Sequence, residues 1–162
     1  MKNVLIIGGL GVLVMTGGVL WSKSLEGQQV QDQIAKTDPA EIVTKNGLHS
    51  HPKIQIVVND EQVPIPGNIG VGPQYAGTPT YDAGMKMTAM HTHETDGTIH
   101  LEFPGLVTKD DLKLKNFFLI WGKELTRFGI LKTVTVNGDE IIEIENYVME
   151  DGDSIVLKYA NE

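Results

Sequence analysis

Hydrophobic and polar positions divide the chain into three regimes. From Val4 to Trp21 the sequence reads VLIIGGLGVLVMTGGVLW and carries no charged side chain. At about 1.5 Å per residue, a helix of that length roughly spans the hydrocarbon core of a bilayer. Lys2 precedes the run, and Trp21 closes it at a position where an interfacial aromatic is favoured. The pattern predicts a single transmembrane signal anchor over residues 1–21. A cleaved signal peptide is the alternative, although no small-x-small cleavage site follows the run. Both readings export everything from residue 22 onward. VLIIGGLG also has the look of a dinucleotide-binding strand and turn, but Val14 stands where the third glycine belongs, and the residues that follow stay apolar. Residues 22–46 are polar and predict a stalk, helical over Leu25 to Lys36 and stopped by Pro39.

From Gly47 to the end the pattern changes to short alternating runs. Ile54, Ile56 and Val58 predict a strand, and Asn59-Asp60 turns it into a second strand through Val63 and Ile65. Pro64 and Pro66 confine that second strand to an edge or cut it short. Residues 67–84 are rich in Gly and Pro and read as loop. Met87–His93 and Thr98–Phe103 predict a hairpin across Glu94–Gly97. Thr108, with Asp111 three residues on, predicts a capped helix start, and Leu114, Phe117, Phe118, Trp121 and Leu125 follow at helical spacing. These aromatics read as core. Thr133–Asn137 and Ile141–Ile144 flank the hairpin signal Asn137-Gly138, and Asp151-Gly152 precedes a last strand, Ser154–Tyr159. The expected domain, residues 47–162, is therefore α+β: a β-grasp-like mixed sheet with one packed helix. A β-sandwich carrying one helix is the alternative. The ending NYVMEDGDSIVLKY resembles that of ubiquitin-like sulfur carriers and TGS-type domains.

Charge and composition narrow the partners. The 162 residues carry a net charge of −8, which argues against a nucleic-acid partner, because phosphate binding needs clustered Lys and Arg. The absence of cysteine excludes disulfides, iron–sulfur clusters and thiolate metal sites. The membrane, through the N-terminal helix, and a metal ion are the partners the sequence points to.

The metal ion comes from the histidines. All 5 fall between positions 49 and 100, as His49-Ser-His51 and as His91-Thr-His93 followed by His100. On a strand, residues i and i+2 share a face, so each His-x-His pair aims two imidazoles the same way. If the hairpin turns at Asp96-Gly97, His91 and His100 fall opposite each other and His91, His93, His100 and Glu102 share a face. His49 and His51 then close the site from an adjacent strand, while Thr92 points away and is expected to matter little to the metal. Neutral imidazole suits copper and zinc, and the thioethers of Met85, Met87 and Met90 nearby would favour Cu(I) if they bound.

The segments MHTHETDGTIHLEFPG and LKLKNFFLIWGKEL resemble a widespread group of exported prokaryotic proteins of unknown function. That group shows a leading His-x-His, a pattern like LHTHDxSGxIHIES, a helix like FTLGQFFxIWG, and then xVTxxVNG. The resemblance covers roughly residues 48–158. Two departures stand out: many members have a Cys before the LHTH segment, and the helix start here reads DLKLKNFF. The resemblance implies the histidine site and the fold, and brings no activity with it.

Among function classes, a membrane-anchored extracytoplasmic metal-binding protein is the leading expectation. A structural or interaction domain with a structural zinc comes second, and a metal-dependent enzyme third. An enzyme needs an open metal position and a base. Glu94, Asp96 and Glu102 are the candidate bases, each more simply read as a turn or strand residue, and no HExxH or phosphate loop supports them.

Overall fold

The computed structural model describes residues 27–161. The apolar run Val4–Trp21 lies outside them, and among the described residues no helix is long and apolar enough to cross a membrane. Residues 27–36 are helical (α1), as the stalk pattern suggests. The helix ends where Thr37 donates to the Gln33 carbonyl from both its amide, at 3.0 Å, and its hydroxyl, at 2.9 Å. A single 3-10 turn, Pro39–Glu41, follows, opened by an Asp38 side chain that accepts from the Ala40 amide.

The chain divides into two compact units, with the boundary between Ala40 and Glu41. The second unit thus begins earlier than Gly47. The reason is a pairing invisible to local pattern: β1 (Ile42–Thr44) lies antiparallel to β9 (Val107–Thr108).

Between and beyond these lie β2 (Leu48–Ser50), β3 (Lys53–Val58), β4 (Glu61–Val63), β5 (Tyr81–Asp82), β6 (Met87–Thr88), β7 (Met90–His91) and β8 (His100–Phe103). After β9 come the helix α2 (Leu114–Trp121), β10 (Ile130–Val136), β11 (Asp139–Glu140) and β12 (Ser154–Ala160). The unit is α+β. Its main sheet has five strands in the order β11-β10-β12-β3-β4, with β12 parallel to β3 and the remaining neighbours antiparallel. Both hairpins at its edges turn on the residues the sequence marks. Asn59 and Asp60 have φ of 50° and 68°, and Asn137 and Gly138 have 54° and 94°. Positive φ at both central residues gives the turn whose twist matches that of the strands.

Alternation places one face of this sheet inward. Ile54 and Ile56 from β3, Val134 and Val136 from β10, and Ile155 and Leu157 from β12 are buried in one core with Leu114, Phe117 and Phe118 of α2. The helix closes at Gly122, whose φ of 69° is the left-handed conformation glycine adopts without strain.

Four expectations need correction. The strand after Asn137-Gly138 is β11, Asp139–Glu140, rather than Ile141–Ile144, and Ile144 opens a 3-10 turn, Ile144–Asn146. The helix starts at Leu114, not near Thr108, although Thr108 does bond Asp111 Oδ2 through both its amide, at 2.8 Å, and its hydroxyl, at 2.7 Å. Residues 112–114 instead bond strand-like to residues 147–149: the Leu114 amide donates to the Tyr147 carbonyl, and the Met149 amide to the Leu112 carbonyl. Leu125 belongs to a separate 3-10 turn, Leu125–Phe128. The stretch Met87–His93 is not one strand: β6 pairs with β5 and β7 with β8, and Ala89 lies between them.

Candidate metal centre

A second, three-stranded sheet in the order β2-β8-β7 carries the histidines. Its register pairs His91 with His100, Leu48 with Phe103, His49 with Glu102 and Ser50 with Leu101. Continuing the β2–β8 register by one residue sets His51 beside His100. A row of three imidazoles therefore crosses the sheet, from His51 through the central His100 to His91. Cross-strand neighbours on one face stand about 4.5–5.5 Å apart at Cβ, close enough for rings to meet. The ring centroids of His51 and His100 are 4.8 Å apart, edge to face, and those of His91 and His100 are 5.3 Å apart and nearly parallel. His93, just past β7, brings its ring to 4.7 Å from both His91 and His100.

Each His-x-His pair closes on itself. The Nε2 atoms of His49 and His51 are 3.1 Å apart, and so are those of His91 and His93. Two nitrogens each about 2.0–2.1 Å from a tetrahedral ion stand about 3.3 Å apart, so this separation suits two lone pairs aimed at one cation. It equally suits one N–H···N bond between neutral rings. The described residues contain two sets of side chains placed so that they could hold a metal ion: His49, His51 and His100, and His91, His93 and His100. Within each set the ligand atoms lie within 4.8 Å of one another. All five histidines singled out in the sequence are thus brought together, in two triads that share His100. Both triads can hold a metal ion.

The ligands are held from behind. The ring of His91 is fully buried, and its Nδ1 donates to the Thr88 carbonyl oxygen at 2.9 Å. A carbonyl only accepts, so the proton sits on Nδ1 and the Nε2 lone pair faces the cluster. Burial, foremost, and the neighbouring His93 and His49 hold His91 below its ordinary pKa, against the opposing pull of the Thr88 carbonyl and Glu102. His100 is lowered for the same first reason, then by His93, His91 and His51. Both favour the neutral, metal-ready form. On the other side, the His51 amide donates to Asp151 Oδ1 at 2.8 Å, which fixes the second pair to the turn before β12.

The hairpin loop is docked as well. Gly97 has φ of 86°, and a Cβ there would collide with the Ile54 carbonyl, while the Ile54 amide donates to the Gly97 carbonyl at 2.9 Å. Thr92 points away from the cluster, as its parity requires, but it is not idle. It is fully buried, its hydroxyl donates to the Pro66 carbonyl at 2.9 Å, and it accepts from the Ile69 amide at 3.1 Å. The loop 66–69 is thereby clamped beneath the His91–His93 segment. Sequence reasoning missed Thr88, Asp151 and this clamp, because backbone carbonyls and cross-chain amides leave no residue-type signal.

The acidic candidates separate clearly. Glu102 Oε1 lies 3.3 Å from His49 Nε2 and 3.9 Å from His100 Nδ1, so its carboxylate belongs to the cluster. Asp96 is a turn residue. It accepts from the Thr98 amide, from Lys53 Nζ at 3.0 Å and from the Thr98 hydroxyl, and these bonds hold its pKa down to about 2. Such a carboxylate is a poor proton acceptor near neutrality. Of the methionines, Met90 is buried in the core. Met85 and Met87 line a cleft of about 410 Å³ that reaches His49 and Glu102.

No protein-family model, no curated protein and no solved structure matches this chain.

Proposed function

We propose that this protein is a membrane-anchored, extracytoplasmic metal-binding module that holds copper or zinc in its five-histidine cluster. The observation that carries the reading is the convergence of two His-x-His pairs, from separate strands, on His100. Five imidazoles with no thiolate suit Cu(II) and Zn(II), and the Met85 and Met87 cleft beside His49 adds a thioether surface suited to Cu(I) on its way in or out. The order of the main sheet, with two edge hairpins around a parallel central pair and one helix against it, supports a β-grasp-like reading of the domain. The uncharged run Val4–Trp21 supports the anchor and the extracytoplasmic placement.

Exchangeable binding is favoured over a zinc that holds the fold together. The apolar core joins sheet and helix through Ile54, Ile56, Phe117, Ile155 and Leu157, and needs no metal to close. His49, His51 and His93 are exposed, which gives an ion direct access. Catalysis has the least support, since Asp96 is tied into its turn and the Glu102 carboxylate is engaged with His49.

The test is titration of the purified full-length chain with Cu(II) and with Zn(II), followed by calorimetry and metal analysis. Tight uptake that falls in His91→Ala and in His93→Ala, from a metal-free protein that keeps its native circular dichroism, supports this reading. Uptake no tighter than that of a β-domain without clustered histidines overturns it. A metal-free chain that unfolds restores the structural-zinc reading.

A further inference from the structure

We propose that the cluster is a two-ion centre, in which the ring of His100 bridges the ions as an imidazolate; this rests on the metal-binding reading above. The five ring ligands do not gather around one point. They form two triads whose common member is His100, each with ligand atoms within 4.8 Å of one another. His100 occupies the central strand of the three, with one pair on either side in the β2-β8-β7 order. An imidazole has two ring nitrogens on opposite edges, so a central ring can serve both neighbours at once.

The edges can be told apart. His100 Nδ1 faces the carboxylate of Glu102, which in turn lies 3.3 Å from His49 Nε2. Nδ1 therefore serves the outer ion, with His49 and His51, and the Glu102 carboxylate stands beside that triad. Nε2 serves the inner ion, with His91 and His93. The two ions would stand about 6 Å apart, two metal–nitrogen bonds of about 2.0 Å set across one imidazole. Each ion then has three protein ligands and an open position. An open position is where an ion or a small ligand exchanges. When the second ion binds, His100 gives up its remaining ring proton to water, and the ring's negative charge is shared by the two cations. The Glu102 carboxylate offsets a further unit of positive charge at the outer ion.

Copper gives this arrangement a magnetic signature, because two Cu(II) ions joined through an imidazolate couple their spins. Full-length chain loaded with Cu(II) is expected to bind two ions, with an integrated electron paramagnetic resonance signal well under half of the bound copper. A chain given one equivalent of Zn(II) before Cu(II) is expected to show every bound copper, because the zinc neighbour carries no spin. His100→Ala is expected to weaken uptake and to show full signal from whatever copper remains. One copper per chain at saturation, two coppers with full signal, or coupling that persists in His100→Ala would each overturn the bridge while leaving metal binding in place. No tight uptake of either metal would overturn both. The Zn(II)-then-Cu(II) sample uses the wild-type chain, so the bridge stays testable if His100→Ala fails to fold.

Discussion

His91 Nδ1 is bonded to the carbonyl oxygen of Thr88, three residues back along the same chain, at 2.9 Å. That bond decides which nitrogen of a buried ring faces the histidine cluster, and it needs no second strand. The ring still resists protonation, since burial is the largest influence on its pKa and lowers it, while the bond to Thr88 pulls the other way.

A pH dependence follows for the metal-free protein. In the unfolded chain His91 and His100 take up a proton near the ordinary value of about 6.5. In the folded chain both are held lower, so between the two values the unfolded state binds more protons. Their contribution is fully present above the unfolded value and is lost as pH falls through the folded ones. The melting temperature of metal-free protein is therefore expected to drop between about pH 7 and pH 5, and to drop less in His91→Leu. Thermal melts across that range in the presence of a chelator check this. An equal drop in wild type and His91→Leu would remove His91 from the account.

Thr92 supplies a second test. Its hydroxyl joins the Pro66 carbonyl and the Ile69 amide, and the residue is fully buried. Thr92→Val keeps the shape and leaves both partners unpaired, which is expected to cost about 1–3 kcal/mol. Thr92→Ser retains the bonds and is expected to cost less. Urea denaturation of the three proteins orders them. Metal affinity in Thr92→Val is expected to fall as well, because the loop beneath His91–His93 loses its clamp.

The helix face yields an ordering rather than a single value. Phe117 is completely buried, and Phe117→Ala is expected to cost about 3–5 kcal/mol. Trp121, which sits mid-stripe in the sequence pattern, is only partly buried and meets Phe128 at a tilt, with ring centroids 5.6 Å apart. Trp121→Ala is expected to cost less than Phe117→Ala. Denaturant midpoints of the two variants decide, and the reverse order would mean that the stripe packs through Trp121.

These elements show what local pattern reveals. Asn59-Asp60 and Asn137-Gly138 announce their hairpins, because adjacent residues that tolerate positive φ are a local property. The His91–His100 pairing was readable from strand parity and turn position alone. The parallel β12–β3 pairing and the β1–β9 pairing were not, since each joins segments far apart in sequence. The helix start was misread for a specific reason. The Thr108–Asp111 bonds form as in a helix cap, but residues 112–114 give their backbone groups to residues 147–149. A tertiary partner outcompeted a local signal.

The same contrast governs the last prediction, at His51. This histidine is exposed and lies beyond the end of β2, so no strand pairing fixes its backbone. Its amide is held by Asp151 Oδ1, from a turn one hundred residues away in sequence. If that bond places His51 beside His100, then Asp151→Ala is expected to weaken metal binding in the His49–His51 triad and to leave the His91–His93 triad intact. Asp151→Asn, which keeps an accepting oxygen, is expected to restore most of the loss. A typical hydrogen bond of this kind contributes about 0.5–1.5 kcal/mol, so the drop in affinity should be modest, about tenfold at most. Calorimetry on the His91→Ala background isolates the outer triad and reads the effect directly. Unchanged affinity in Asp151→Ala on that background would show that His51 reaches its place without Asp151.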